Sequence, residues 1–290
     1  MGLLDGKVVV VTGSGRGVGR AIAIEAGAQG AAVVVADYGV SIDGGDPSSD
    51  LADEVAAEIR QAGGQAVALG ETVVEMSGAK RIIDTALEQF GRLDGVVCSA
   101  GLMRPNTFLE MSEDDFDSVV ATHLRGHFTV LQAAALAMVE RNIAGSLVAM
   151  GSGYLSGTAF LANYRAAKAG VLALALTAAI DLAASGIRVN CMAPAANTRM
   201  TEAFGVKVHG EAADVAPMAT FLLSDLSREV TGQIFSIAGG RISAWSDPFE
   251  DYTATKDGRW TAEEISREIP SLVRVHPSDG AGFLASAPIS

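Results

Sequence analysis

A doubly wound α/β fold, a seven-stranded parallel sheet with helices on both faces and a C-terminal extension, is what this sequence predicts. Three observations carry that prediction. Continuous β-branched runs such as Val8-Val9-Val10-Val11 read as strands buried on both faces. Between such runs lie segments in which apolar residues recur at helical spacing. The first run also passes straight through a glycine-rich turn, Thr12-Gly13-Ser14-Gly15-Arg16-Gly17-Val18-Gly19, into a helix.

Composition narrows the classes of function. The chain has 290 residues, 49% of them hydrophobic and 19% charged, enough for one large core plus a tail. A formal net charge of -13, from 34 acidic and 21 basic residues, argues against a nucleic acid or an anionic membrane as partner. A small-molecule substrate is the simpler expectation. Cys98 and Cys191 lie far apart, without metal-ligand or disulfide-framework spacing, so a reduced, cytoplasmic setting and no metal are expected. The N-terminus carries Asp5 and Lys7 and enters a strand at once, unlike a signal peptide. The most apolar run, 169–180, is closed by Lys168 and Asp181 and is too short to span a bilayer.

Taken in order, the elements support a nucleotide site. After the first strand, Gly13, Gly17 and Gly19 let the backbone approach a pyrophosphate, and the helix opening at Val18 aims its first amides there. A second strand, 31–36, ends at Asp37. A carboxylate there accepts hydrogen bonds from ribose hydroxyls and repels a 2′-phosphate, favouring NAD; Arg16 is a countervailing cation, and Asp37 could also be a plain turn residue. A loop rich in Gly, Ser, Asp and Pro over 38–50 leads to a helix at 51–61, a short strand at 65–69 and a helix at 77–90. The fourth strand, 93–98, opens into Ser99-Ala100-Gly101, small residues that leave room for a ligand at the strand's carboxyl end. Ser112 and Asp115 have capping-box spacing for a long helix whose apolar face runs Phe116, Val119, Val120, Leu124, Phe128 and Leu131.

His123 and His127 lie on or beside that face. They are spaced like a metal pair but lack a third ligand nearby, so core histidines are the simpler reading. A fifth strand, 146–150, opens into Gly151-Ser152-Gly153, and Tyr164 begins the next helix. Tyr164 and Lys168, four residues apart, share one helix face, so the ammonium can favour the phenolate and make the phenol usable as a base. The helix over 169–184 is apolar nearly all round, which a subunit interface would explain, so a homo-oligomer, dimer or tetramer, is expected. A sixth strand, 187–192, is expected to break at Pro194, and a seventh spans 233–237. The alternation stops at Arg241, giving a domain over 1–242 and an extension over 243–290. In the extension Thr261 and Glu264 form a capping box for a helix that Pro270 ends, and Trp245, Trp260 and Phe283 are apolar enough to pack on the same or a neighbouring subunit.

With the glycine turn, the strand-end aspartate, and Ser152, Tyr164 and Lys168 in one chain order, the sequence over about 5–240 resembles the short-chain dehydrogenase/reductase family, a Rossmann fold. The resemblance implies an oxidoreductase that interconverts a secondary alcohol and a ketone with NAD. Tyr164 would be the general acid/base. Lys168 would lower its pKa and hold the nicotinamide ribose, and Ser152 would bond the substrate oxygen. Cofactor contacts would come from Gly13, Arg16, Gly17, Val18, Gly19, Asp37, Thr72, Val73, Ser99, Ala100, Gly101, Tyr164, Lys168, Pro194 and Thr198, the last meeting the carboxamide.

Four departures stand out. The family's serine-to-tyrosine spacing lands on Gly151, whereas alignment from the strand lands on Ser152 and implies one residue deleted before Gly157; sheet register is harder to shift than a loop, so Ser152 is preferred. Cys98-Ser99 replaces a pair of asparagines, and Glu71 or Thr72 replaces the aspartate that holds adenine. His123 replaces a relay asparagine, and its ring can still donate and accept hydrogen bonds. The runs 122–128, 197–201 and 258–261 are similar to a subgroup containing 3-hydroxyacyl-CoA dehydrogenase and hydroxysteroid dehydrogenase-like proteins, so a 3-hydroxyacyl thioester or similar bulky hydrophobic alcohol is the expected substrate. The alternative is an NAD(H)-binding protein with little turnover, acting through association.

Overall fold

The structure, a computed structural model, describes residues 2–45, 47–153, 158–203, 208–246 and 253–272. The deletion expected before Gly157, and Phe283 of the tail, lie outside the described residues. Strands and helices alternate as β1 (Val8–Thr12), α1 (Gly17–Ala28), β2 (Ala32–Ala36), α2 (Asp50–Gln61), β3 (Gln65–Leu69), α3 (Met76–Phe90) and β4 (Gly95–Cys98). After β4 come α4 (Glu113–Val120), a π-helical segment Ala121–Arg125, α5 (Gly126–Glu140), β5 (Ser146–Met150) and α6 (Ala162–Asp181). The larger unit closes with β6 (Arg188–Ala195), α7 (Arg199–Ala203), α8 (Ala212–Leu223), β7 (Ile234–Ala238) and β8 (Arg241–Ala244).

The strands form one sheet in the order β3-β2-β1-β4-β5-β6-β7-β8. Successive strand residues point to opposite faces, and each face carries its own core. On one side Val8, Val10, Val96 and Leu147 pack with Ile82, Met138 and Val171 from α3, α5 and α6. On the other, Val9, Val11, Val33 and Val148 meet Ile22, Val55 and Leu222 from α1, α2 and α8. Buried Asp94 joins the lower ends of β1 and β4, accepting from the Val8 amide at 2.9 Å and pairing with Arg92 at 2.6 Å. From β1 the chain goes outward to β3 and then returns to lay β4 on the other side of β1. That reversal opens a crevice beyond the carboxyl ends of β1 and β4, where a ligand sits in folds of this kind.

The sheet has eight strands, where seven were expected. Gly239, at φ +54, and Gly240 make a two-residue turn that folds Arg241 back onto Ala238, so β8 pairs antiparallel with β7. That glycine pair is a hairpin signal as well as a strand end. β6 also continues through Pro194 to Ala195. Its pairing with β5 finishes at Met192, so the proline ring lies beyond β5 and faces a ladder on the β7 side alone.

The long helix expected after Ser112 is interrupted. Its capping box is present, Ser112 Oγ accepting from the Asp115 amide and Asp115 accepting from the Ser112 amide, both at 3.1 Å. The π segment then shifts the helical phase, and one apolar stripe no longer runs through it. Phe116 and Phe128, expected on the buried face, are 41% and 43% exposed, while Val119, Val130 and Leu131 are buried.

The described residues divide into two compact units, the larger ending at Trp245. The described part of the smaller unit is built around α9 (Ala262–Leu272). Its capping box pairs Thr261 with Glu264, whose carboxylate also binds Lys256. The helix runs past Pro270, which near a helix end removes a single backbone bond.

Candidate active site

The glycine turn between β1 and α1 is shaped by close approach. Gly13 has φ +65, and a Cβ there would stand 2.5 Å from Ala100 Cα. A Cβ on Gly19 would stand 2.1 Å from the Gly13 carbonyl oxygen, so the first turn of α1 lies directly on the glycine turn. Arg16 caps α1 with no side-chain hydrogen bond and the first turn holds no carboxylate, so no acid within α1 itself offsets the positive end of the helix. Thr198 follows β6 and lies over this turn, its Cγ2 3.6 Å from where a Gly17 Cβ would be; Val18 packs into the core beneath. These features fit a dinucleotide diphosphate.

Asp37 follows β2 and ties itself to the turn, accepting from the Gly15 amide at 2.7 Å and the Gly39 amide at 2.6 Å. Each oxygen keeps a further lone pair with which to accept a ribose hydroxyl. Arg199, which the sequence did not single out, feels the charges of both Arg16 and Asp37 and donates to the Val40 carbonyl at 3.4 Å. Just after β3, Glu71 is already committed: Arg81 at 2.5 Å holds its carboxyl below the usual range, and it also takes the Thr72 amide. Thr72 Oγ1 accepts from the Val74 amide, and the Val73 carbonyl accepts from Thr129 at 2.5 Å. At the end of β4 the Ser99 amide donates to the Thr12 carbonyl and hydroxyl at 3.1 and 3.2 Å.

Across the crevice stand β5, the π segment and α6. Ser152 stands beside the Tyr164 side chain, near enough for its hydroxyl to favour the phenolate. Burial nevertheless raises the Tyr164 phenol, with Ser152 and the Arg165 charge pulling it back. Tyr164 is partly exposed as a residue, so this burial belongs to the hydroxyl end of the ring. Lys168 lies against the Tyr164 ring. Its Nζ lies 5.7 Å from the ring centroid and donates to the Met150 carbonyl at 2.5 Å, a strong acceptor just below the end of β5. Burial pushes Lys168 down to about 8. The buried thiols of Cys98 and Cys191, which oppose that shift, are themselves pushed up to about 12 by burial.

The two histidines separate into different roles. His127 is a satisfied core histidine: Nδ1 donates to the His123 carbonyl at 2.5 Å and Nε2 accepts from the Met150 amide at 3.1 Å. His123 sits in the π segment, edge-on to the Tyr164 ring with centroids 5.1 Å apart. Its Nε2 is 2.8 Å from the Leu102 carbonyl and 3.3 Å from the Leu102 amide, which assigns the proton to Nε2. Nδ1 is then a buried acceptor without a partner among the described residues. Only a glycine fits opposite the ring, since a Cβ on Gly101 would stand 2.3 Å from His123 Cε1.

Burial pushes His127 down to about 3 and holds His123 well below its ordinary value. The unfolded chain therefore takes up protons first as pH falls. The stability linked to these rings is fully present above about pH 6.5 and is lost as the pH falls, for His127 down to about 3. Urea unfolding between pH 6.5 and 4.5 should show a loss of about 1.4 kcal/mol per pH unit for each ring. His127→Gln should flatten that slope by about half; an unchanged slope would contradict the assignment.

Two further residues shape the site and carried no motif. Asn163 is fully buried; its amide donates to the Arg104 carbonyl at 2.8 Å and the Asp115 carbonyl at 2.9 Å, and its oxygen accepts from the Tyr164 amide at 2.7 Å. It thereby pins the start of α6. Arg165, inside the Y-x-x-x-K spacing, donates to the Gly153 carbonyl at 2.5 Å and lies 3.4 Å from Ser152 Oγ.

Residues 7–207 match the family described as short chain dehydrogenase. The chain belongs to the short-chain dehydrogenase/reductase family. It is accordingly an oxidoreductase acting on CH–OH groups with a nicotinamide cofactor. The hydroxyacyl-CoA dehydrogenase ChsB1 of Mycobacterium tuberculosis is 36% identical over 281 residues, covering 91% of this chain and 87% of that protein. The peroxisomal multifunctional enzyme type 2 of Mus musculus is 39% identical over 241 residues, 82% of this chain and 32% of that longer protein. A crystal structure of a short chain dehydrogenase from Mycobacterium avium superposes with a TM-score of 0.84 at 38% identity, covering 93% of this chain and 96% of the other.

Proposed function

We propose that this short-chain dehydrogenase/reductase uses NAD to interconvert a 3-hydroxyacyl thioester, or a similarly bulky hydrophobic secondary alcohol, with the corresponding ketone. The observation that carries the reading is the grouping of Tyr164 with Ser152 beside its side chain and the Lys168 ammonium 5.7 Å from its ring, one turn further along α6. A bound oxidised nicotinamide supplies the hydride acceptor. Tyr164 takes the proton from the substrate hydroxyl, and Ser152 holds the substrate oxygen as it becomes a carbonyl. Lys168 holds the nicotinamide ribose, and the Gly13–Gly19 turn, with Arg16, holds the diphosphate. Ser99, Ala100, Gly101, Thr72 and Val73 line the adenosine end, while Pro194 and Thr198 flank the carboxamide. The unpartnered Nδ1 of His123 suits a relay water there. Asp37 supports NAD over NADP, because its carboxylate repels a 2′-phosphate.

The thioester class draws on the similarity to the mycobacterial and mouse relatives. We also read the protein as a cytoplasmic homo-oligomer, a tetramer by preference. Exposed Phe128, Leu136 and Val139 on α5 and Ile180 on α6 support an oligomer, and the free thiols of Cys98 and Cys191 suit a reducing compartment. No helix among the described residues is long and apolar enough to cross a membrane. The division at 242/243 into a catalytic domain and an extension is part of the same reading.

The raised Tyr164 phenol favours the rival, a cofactor-binding protein with little turnover. A panel of hydroxyacyl-CoA, steroid and sugar alcohols, each offered with NAD and with NADP and followed by absorbance, separates the two. Turnover of hydroxyacyl-CoA with NAD is expected. Binding of NADH with no turnover of any alcohol would establish the rival instead.

A further inference from the structure

Burial raises the Tyr164 phenol, and the lysine expected to lower it is turned toward a backbone carbonyl. The groups packed against Tyr164 come from three elements. From the end of β5 come Ser152 and the Gly153 carbonyl; from the π segment comes His123, uncharged because it is fully buried. From α6 itself come Lys168 and Arg165. Behind Lys168 lie His127 and the thiols of Cys98 and Cys191, all neutral at working pH. Among the described residues no carboxylate acts on the phenol. The Arg165 guanidinium is half-buried, 2.5 Å from the Gly153 carbonyl and 3.4 Å from Ser152 Oγ, so it occupies the corner from which the substrate oxygen is held.

We infer that Arg165 is a positioning residue for the reaction: it ties the Ser152–Gly153 corner to the first turn of α6 and sets a permanent positive charge against Ser152, the serine that neighbours the Tyr164 side chain. The inference rests on the reading of Tyr164 as the acid/base. A guanidinium is suited to the task because it stays charged across the working range, whereas Lys168 is brought to about 8 by its own burial. Arg165 also faces Ser152, so one side chain sets both the direction of the serine hydroxyl and the proton affinity of its partner. Its effect on the phenol agrees with this geometry, lowering Tyr164 against the pull of burial. The sign follows: removing the charge raises the phenol, so alcohol oxidation, which needs the phenolate, loses rate on the acid side of its pH profile.

The test compares Arg165→Met, which keeps the bulk without charge or donor, with Arg165→Gln, which keeps a donor for the Gly153 carbonyl, and Arg165→Lys, which keeps the charge. The primary readout is the tyrosinate absorbance of the ligand-free protein, taken as the difference from the matching protein carrying Tyr164→Phe. It requires no turnover. Both Arg165→Met and Arg165→Gln should raise the Tyr164 midpoint by about one pH unit, and Arg165→Lys should recover at least half of that shift. With the best alcohol of the panel, kcat of Arg165→Met should fall about tenfold on the acid limb and approach the parent rate at high pH. If Arg165→Met fails to fold, Arg165→Gln carries the same comparison. A phenol titration that coincides with the parent in the uncharged variants overturns the inference. So does an equal loss of rate at every pH with the phenol unmoved, which is the mark of a structural role. If Tyr164→Phe turns over as fast as the parent, the acid/base reading fails instead, while the absorbance titration still reports on the Arg165 charge.

Discussion

Tyr164→Phe is expected to lower kcat for alcohol oxidation by about 10³-fold, within the span usual for a lost general acid/base. The substitution removes the hydroxyl and leaves the ring. The edge-on contact with His123 and the cation lying 5.7 Å over the ring both survive, so α6 should stay in place and the thermal midpoint should not move appreciably. What disappears is the hydroxyl proposed to accept the substrate proton, beside Ser152. Affinity for NADH, measured by fluorescence, should weaken by no more than about tenfold, the scale of one hydrogen bond. Loss of turnover with retained binding is thus the expected pair of results. Oxidation within about tenfold of the parent rate would show that another group takes the proton.

Gly13→Ala is expected to damage stability and cofactor binding together. The position lies at φ +65, which costs an L-residue about 1–2 kcal/mol. The new methyl would meet Ala100 Cα at 2.5 Å, the Ala100 nitrogen at 2.6 Å and the Ser99 carbonyl carbon at 2.8 Å. All three atoms are backbone, so no side chain can swing aside, and β4 must separate from the turn at a further cost of about 1–3 kcal/mol. A fall of roughly 3 kcal/mol in urea-unfolding stability follows, with NADH affinity weakened by at least about tenfold because the diphosphate turn is displaced. Gly17→Ala is the control. It has φ +55, yet the nearest atom to its new methyl is Thr198 Cγ2 at 3.6 Å, so it should lose only the conformational part. Equal effects at both positions would refute the steric argument.

The signals that define the candidate site in the chain are local. Gly13, Gly17 and Gly19 directly follow a strand, Asp37 ends the next one, and Tyr164 and Lys168 are helical neighbours. The preference for Ser152 over Gly151 rests on the register of β5, and it enters the proposed mechanism on that footing. The expectation that the alternation stops at Arg241 overlooks Gly239-Gly240, a pair that can start a hairpin and here lays β8 on β7. The apolar stripe through Phe116 and Phe128 failed because a single period was carried across the π segment.

The sequence by itself determined the alternation of strands and helices and the glycine turn after β1, and it put Tyr164 forward as the proposed acid/base. Periodicity and glycine placement act between neighbours a few residues apart, so they survive in a linear reading. Only the tertiary structure decided the electrostatics around that tyrosine. It gave Lys168 the Met150 carbonyl from another element, left His123 Nδ1 as a buried acceptor, and set Arg165 against Ser152 and Gly153. A charge acts through distance and burial, and both are set by which elements fold against each other.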